Sequence, residues 1–263
     1  MNQENEPNIT PLPKVTVGGI TFDAVTEPQC MSYIMDCLSV GQGGWVITPN
    51  LDHLCRAHRD RSFHDMVGEA DVVVADGMPI IWASKLQGTP LPERVAGSTM
   101  TISLSEQAAK HNRSIYLLGG EPGAAEQAAE KLKSQFPGTT IAGIFCPEFG
   151  FEKDPQQMAH IKRLLVEANP DLVYVALGSP KQEHLVRTLR GELPHAWWLG
   201  IGISLSFISG HVKRAPRWMQ VCGIEWFHRL IQEPRRLAKR YLVDGIPFAL
   251  RLLISSLFRR FQK

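Results

Sequence analysis

The 263 residues contain no Cys-x-x-Cys pair, no His-Glu-x-x-His, no Asp-x-Asp and no Cys/His cluster. The familiar zinc spacings and a redox dithiol are therefore missing. Five cysteines, at 30, 37, 55, 146 and 222, show no paired spacing. They read as reduced thiols of a cytosolic protein. The nine scattered histidines read as surface or packing residues. No Walker loop occurs and no Gly-x-Gly-x-x-Gly follows a strand, so ATP and dinucleotide readings lose their fingerprints. No uninterrupted apolar run approaches the roughly 20 residues of a spanning helix. The nearest stretch, 242–258, is interrupted by Asp244, Pro247 and Arg251, and the chain is expected not to cross a bilayer. Secretory signal, internal repeat and low-complexity tract are also missing.

Charge is present, but unevenly spread. Residues 211–263 carry 12 Lys and Arg against 3 Asp and Glu, whereas the first 210 residues carry 16 against 23. The net charge of +2 conceals a basic tail on a mildly acidic body. Such asymmetry calls for an anionic partner: a phosphate, a nucleic acid or an anionic membrane. No nucleic-acid motif accompanies it, so none is expected as a partner.

Short Val- and Ile-rich runs alternate with helical segments. Residues 14–24 predict a hairpin turning at Gly18-Gly19, and a helix follows over 27–39. Strands are expected at 45–49, 71–75, 114–119, 139–145, 171–177 and 196–201. Helices are expected from about 51, over 79–87, 124–135 and 155–168, and near 181–190. This is an α/β protein with a mostly parallel, Rossmann-like sheet covered by helices on both faces. Residues 1–13 read as a flexible lead-in, 14–210 as the catalytic domain, and 211–263 as a basic helical appendage. Within the appendage, Leu250, Leu253, Ile254, Leu257, Phe258 and Phe261 form one apolar stripe with Arg251 and Arg259 on another face. That pattern fits a helix lying in a membrane interface, or one packed on its own core or a second subunit.

Right-handed crossovers bring the C-terminal ends of parallel strands to one edge, where ligands bind. The polar and glycine motifs fall there: TPN (48–50), ADG (75–77), GGEPG (119–123) and GSPKQE (178–183). Asp76 can accept a proton from a hydroxyl or cap the following helix. Thr48 and Asn50 can bind a sugar or phosphate, or cap the helix after them. Gly119, Gly120 and Gly178 open helix N-termini suited to phosphate, or simply permit tight turns. Lys181 opposes the helix dipole unless an anion or carboxylate compensates it. Without a tightly held cation, a diphosphate would be neutralised by arginines. The supply is Arg214, Arg217, Arg229, Arg235, Arg236 and Arg240.

The segments WVITPNLDHL (45–54), ADGMPIIWASKLQGTPLPERVAGSTM (75–100), YLLGGEPG (116–123), VYVALGSPKQE (173–183) and GIEWFHRLIQEPRRLAKRY (223–241) together resemble the WecG/TagA/CpsF glycosyltransferases. The resemblance spans about residues 15–241. It implies an inverting, metal-independent enzyme without cofactor. The enzyme would move a sugar from a UDP-sugar to a polyprenyl-diphosphate-linked saccharide at the inner face of the bacterial membrane. N-acetylmannosamine, its uronic acid and glucose all fit as donor sugars, and a homo-oligomer stays open. By the resemblance Asp76 is the base, Thr48 a substrate contact and Gln182 a residue of the nucleotide site. Arg229 and Arg236, with Arg240, close over the diphosphate. Asn50, Arg94, Gly119, Gly120, Gly150, Phe151, Gly178, Lys181 and Arg214 join the substrate set. Gly150 and Phe151 stand where the family often has Gly-Tyr-Phe, and Leu205-Ser206 where it has Phe-Asp. Both departures bear on the donor. The alternative is a non-catalytic binder of nucleotide or lipid phosphate.

Overall fold

In the computed structural model, which describes residues 9–261, the apolar segments pair into a six-stranded parallel sheet. A separate antiparallel hairpin, β1 (Lys14–Val17) and β2 (Ile20–Asp23), precedes it. The sheet strands are β3 (Gly44–Ile47), β4 (Val72–Val73), β5 (Ser114–Gly119), β6 (Thr140–Phe145), β7 (Leu172–Ala176) and β8 (Trp197–Gly200). Their order is β4-β3-β8-β7-β5-β6. Side chains alternate between the faces, as the two-residue period of a strand demands. Trp45, Ile47 and Trp198 enter one apolar cluster; Val46, Trp197 and Leu199 enter the other.

Helices cover both faces. On one lie α2 (Leu51–Arg59), α3 (Arg61–Gly68), α4 (Met78–Leu86), α7 (Pro155–Ala168) and α8 (Lys181–Leu189), contributing Leu54, Phe63, Ile80, Ile161 and Leu185. On the other lie α1 (Glu27–Ser39), α5 (Gly97–Lys110), α6 (Ala124–Gln135) and α9 (Ser204–Ser209), contributing Ile34, Met100, Ala128 and Leu205. Neighbouring strands β3 and β8 therefore send their helices, α2 and α9, to opposite faces. The chain opens there into a crevice beyond the strand ends, the usual ligand position in open sheets.

Most expected elements occur where the sequence places them. The helices 27–39, 124–135 and 155–168 and the strand 114–119 match to the residue. The expected strand 71–75 pairs over only Val72–Val73, yet the Val74 and Asp76 amides still donate to the Ile47 and Pro49 carbonyls at 3.0 and 2.9 Å. Helices α3 and α5 go beyond the expected pattern. In α5 the polar residues hide by back-bonding: the Thr101 and Ser105 hydroxyls donate to the carbonyls four residues earlier, both at 2.7 Å. The described end of the lead-in is not loose. The first eight residues lie outside the described ones, but Ile9 and Leu12 pack against the second cluster, and the Pro13 carbonyl accepts the Ala24 amide.

After α9 the described residues form helices only: α10 (Arg217–Val221), α11 (Glu225–Gln232), α12 (Pro234–Ala238), a π-helical stretch Lys239–Gly245 and α13 (Ile246–Arg260). The last three run on as one helix, Pro234–Arg260. Its most apolar window has a mean hydropathy of 1.5, so by length and composition it could cross a membrane. Pro247 does not end the helix, because the widened π-helical turn just before it tolerates the missing amide.

The predicted apolar stripe also faces another way than packing on the body would require. Leu250, Ile254, Leu257, Phe258 and Phe261 are exposed, whereas Leu252 and Ser256 are buried and Leu253 packs partly against the core. Leu252 fits beneath the hairpin turn at Gly18 and beside Leu54. Leu252→Ala is expected to cost about 2–4 kcal/mol in denaturant unfolding. Leu250→Ala on the exposed face is expected to stay within about 0.5 kcal/mol.

Candidate active site

A cleft of about 400 Å³ occupies the crevice between β3 and β8. Its floor is the strand ends: Thr48 after β3, Asp76 after β4, and Gly200 to Gly202 at the end of β8. Asp76 is only partly buried and its carboxylate faces the start of α5, where Oδ2 accepts the Gly97 amide at 3.3 Å. It does not cap α4, which begins after Gly77 without a side-chain cap. Gly97 must be glycine for this arrangement, since a Cβ there would stand 2.9 Å from Thr48 Oγ1. Thr48, Asp76 and the first turn of α5 are thus held side by side.

Burial pushes the Asp76 carboxyl above its ordinary range; the Glu225 charge adds to this, while Arg94, the Gly97 amide and His53 oppose it. A carboxylate held this way is a stronger base than a free one.

The appendage forms the far wall. Trp226 and Arg229 of α11, and Arg240, Tyr241 and Gly245 of the π-helical stretch, line the cleft. The wall is pinned at three places. Glu225 Oε2 lies 3.6 Å from Arg94, and Oε1 lies 3.4 Å from Arg214, which also donates to Thr99 Oγ1 at 3.0 Å. Arg240 pairs with Asp52 at 3.0 Å, and Arg59 with Asp244 at 2.9 Å. Gly223 rests against Met78 of α4 with no room for a Cβ, and its φ of +74° suits glycine alone. Arg229, by contrast, faces the cleft with no ion-pair partner among the described residues.

Of the residues expected at the site, the cleft collects Asp76, Thr48, Arg229, Asn50, Arg94, Gln182 and Arg240. Asn50 is largely committed to capping: its Oδ1 accepts the Asp52 and His53 amides at 3.0 and 3.3 Å. Gln182 is buried and braces the β8 loop, its Oε1 accepting the Gly202 amide at 3.0 Å. Arg236 lies across Ile203 in a second hollow of about 310 Å³, with Glu121, Lys213 and Glu233. Arg214 braces Glu225 outside the cleft lining.

The glycine set is placed differently. Gly119, Gly120, Gly150 and Gly178 lie outside the cleft lining, and Phe151 belongs to the core. Gly119 passes too close to the Ala176 carbonyl for a Cβ, a demand of strand packing. The anion expected to compensate Lys181 is internal: Glu152 pairs with it at 2.7 Å. The described residues contain no group of three or more His, Cys, Asp or Glu able to hold a metal ion.

Sequence reasoning missed His53, Glu183, Glu225, Trp226 and Tyr241. His53 was readable in part, because it follows Asn50 at the three-residue spacing of a reciprocal cap.

A stability signature follows from Asp76. A carboxyl raised in the folded state costs stability as pH climbs from the unfolded value through the folded one. Asp76→Asn, which keeps an acceptor for Gly97, is expected to melt higher than the parent at pH 7–8. That advantage should vanish below the ordinary carboxylate range; thermal melts across pH measure both.

Residues 15–262 match the family model described as "Glycosyl transferase WecG/TagA/CpsF family". An N-acetylglucosaminyldiphosphoundecaprenol N-acetyl-beta-D-mannosaminyltransferase of Bacillus subtilis strain 168 is 34% identical over 194 residues, covering 74% of this chain and 73% of its own length. A protein of the same name from Bacillus spizizenii strain W23 is 32% identical over 199 residues, covering 76% and 75%. The motifs that form the cleft's floor and wall lie within the matched span, and the chain belongs to the WecG/TagA/CpsF family of glycosyltransferases.

Proposed function

We propose that this chain transfers N-acetylmannosamine from its UDP derivative, with inversion, to an N-acetylglucosamine carried on a polyprenyl diphosphate. The relatives' shared name motivates both sugars. The observation that carries the reading is the partly buried Asp76, raised in basicity, facing a cleft whose opposite wall holds the unpaired Arg229. In the step proposed, Asp76 takes the proton of the acceptor hydroxyl as its oxygen bonds to the anomeric carbon. The bond from that carbon to the UDP oxygen breaks, and the electron pair leaves with the diphosphate. Arg229 meets the growing negative charge without first giving up a carboxylate. In this reading arginine does the work of a held cation.

The reaction would occur at a membrane surface. Leu250, Ile254 and Phe258 of α13 and Phe261 just after it are exposed, as are Phe227, Ile231, Leu242 and Val243 elsewhere in the appendage. Only 17% of the helix's most apolar window is buried within the protein. Arg251, Arg259 and Arg260 flank it, as suits an anionic leaflet. Leu252 on the body and Arg240 at the cleft tie the same helix to the protein, which favours lying in the interface over crossing it.

Turnover of UDP-N-acetylmannosamine with a lipid-diphosphate N-acetylglucosamine acceptor tests the chemistry. Asp76→Asn should bind UDP and transfer nothing. Arg229→Ala should slow transfer about ten- to a hundredfold, as the loss of one charge-assisted hydrogen bond of roughly 1.5–3 kcal/mol implies. Full transfer by Asp76→Asn would end the reading. For the surface, Leu250→Glu with Ile254→Glu and Phe258→Glu should leave the fold intact and abolish co-sedimentation with anionic vesicles. Unchanged sedimentation would refute the interface.

A further inference from the structure

Beneath the cleft lies a pair of titratable groups that the proposed step does not use. Glu183, in the first turn of α8, is 2% exposed, and His53, in the first turn of α2, is 8% exposed. His53 Nε2 lies 3.6 Å from Glu183 Oε1. The other ring nitrogen, Nδ1, lies 2.9 Å from Asn50 Oδ1 and 3.3 Å from the Asn50 amide. Glu183 Oε1 also accepts the Gln182 side-chain amide at 3.0 Å, while Oε2 is buried without a partner. Both residues line the cleft.

Burying a carboxylate with one oxygen unpartnered is costly, and packing alone would be served better by an amide or an apolar group. A cost of this kind beside a cleft points to function. The local chain shows what the pair controls. His53 holds Asn50 through Nδ1, which donates to Oδ1 when it carries a proton and accepts the Asn50 amide when it does not, and Asn50 follows Pro49, whose carbonyl holds the Asp76 amide at 2.9 Å. Thr48 precedes the same proline. One imidazole, steadied from below by Glu183, therefore fixes the turn carrying Thr48 on one side and receiving Asp76 on the other.

We propose that His53 and Glu183 are positioning residues for the transfer, orienting the Thr48–Asn50 turn and, when the imidazole carries its second proton, placing a positive charge beneath Asp76. The proposal rests on Asp76 being the base. The electrostatics agree with the geometry. Burial pushes the Glu183 carboxyl up, but the His53 and Gln182 hydrogen bonds outweigh it and hold the group below its ordinary range. Four charged groups or dipoles besides burial act on Asp76: Arg94 after α4, Glu225 of α11, the Gly97 amide of α5, and His53 of α2. Of these only His53 has its own buried counter-charge, from α8. The neighbours on its own helix, Asp52 and Arg56, pair with each other at 3.9 Å, and Arg56 lies over the Phe63 ring.

The experiment is the pH dependence of kcat/KM for the full-length enzyme, His53→Gln, Glu183→Gln and the double variant, each first checked for UDP binding. Both single variants should bind UDP and turn over several-fold more slowly at neutral pH. Their acid limbs should move to higher pH, because Asp76 loses a charge that favours its ionised form. The double variant should be no worse than the slower single variant, as two members of one unit require. Acid limbs superimposed on that of the parent, or losses that multiply in the double variant, would overturn the proposal. So would a Glu183→Gln protein that fails to fold, since the pair would then serve structure alone. Should Asp76→Asn retain transfer while these limbs shift, it is the assignment of the base that fails, not the pair.

Discussion

The wall that closes the cleft meets the body most intimately through one carboxylate, Glu225. Its two oxygens join Arg94 of the α/β body to Arg214, between α9 and α10, and Arg214 returns to Thr99 on α5. The three charged side chains are 16–20% exposed, so the bridge is screened by protein rather than by open water. It sets Trp226 and Arg229, one and four residues on, opposite Asp76. Without the docked wall, Asp76 would sit in a shallow trough at the sheet edge, well solvated and weakly basic. With it, the same residue is partly enclosed, and the Glu225 charge itself adds to its basicity. The contact that closes the site thereby also tunes it.

The body prepares this meeting by topology. Helices α2 and α9 leave adjacent strands for opposite faces, so the space between β3 and β8 cannot be filled by either. Gly97 and Gly200 keep the floor shallow, the first sparing Thr48 and the second leaving room for Gln182. The floor is rigid and expensive, with buried Glu183 beneath it; the wall is held by surface and half-buried ion pairs. A floor built from the sheet and a separately fastened wall would suit the lipid-linked acceptor proposed above. The uncovered apolar side of α13 lies on the same continuous helix as Arg240, so the surface proposed to meet lipid and the lining of the cleft share one rod.

Much of this was legible in the sequence. Val- and Ile-rich runs bounded by glycine and proline marked the strands, and Asp76 stood out as a carboxylate at a strand end. Arg229 was visible as part of a dense basic set, but its distinction from Arg236 was not, because only the packing of α11 shows which guanidinium lacks a partner. Lys181 misled for a similar reason: its partner Glu152 is 29 residues away in sequence, on another loop. The glycines at 119 and 120 carried a real constraint, but at Gly119 it is the approach of β7 to β5 and at Gly120 the neighbouring Leu205 of α9. Helix α5 was hidden by its Ser and Thr content, since back-bonding of hydroxyls leaves no trace in a hydrophobic pattern. The orientation of α13 was likewise illegible: an apolar stripe says that something covers it, and only the burial of Leu252 and Ser256 shows that this is not the body.

The central claim, that the docked wall makes the site, is tested most directly by Glu225→Gln. Hydrogen exchange and transfer rate would be followed on the same protein. Amides in residues 225–245 should exchange faster while those of the sheet stay protected, and transfer should fall with them. Full-rate transfer by a protein whose residues 225–245 exchange freely would contradict the account.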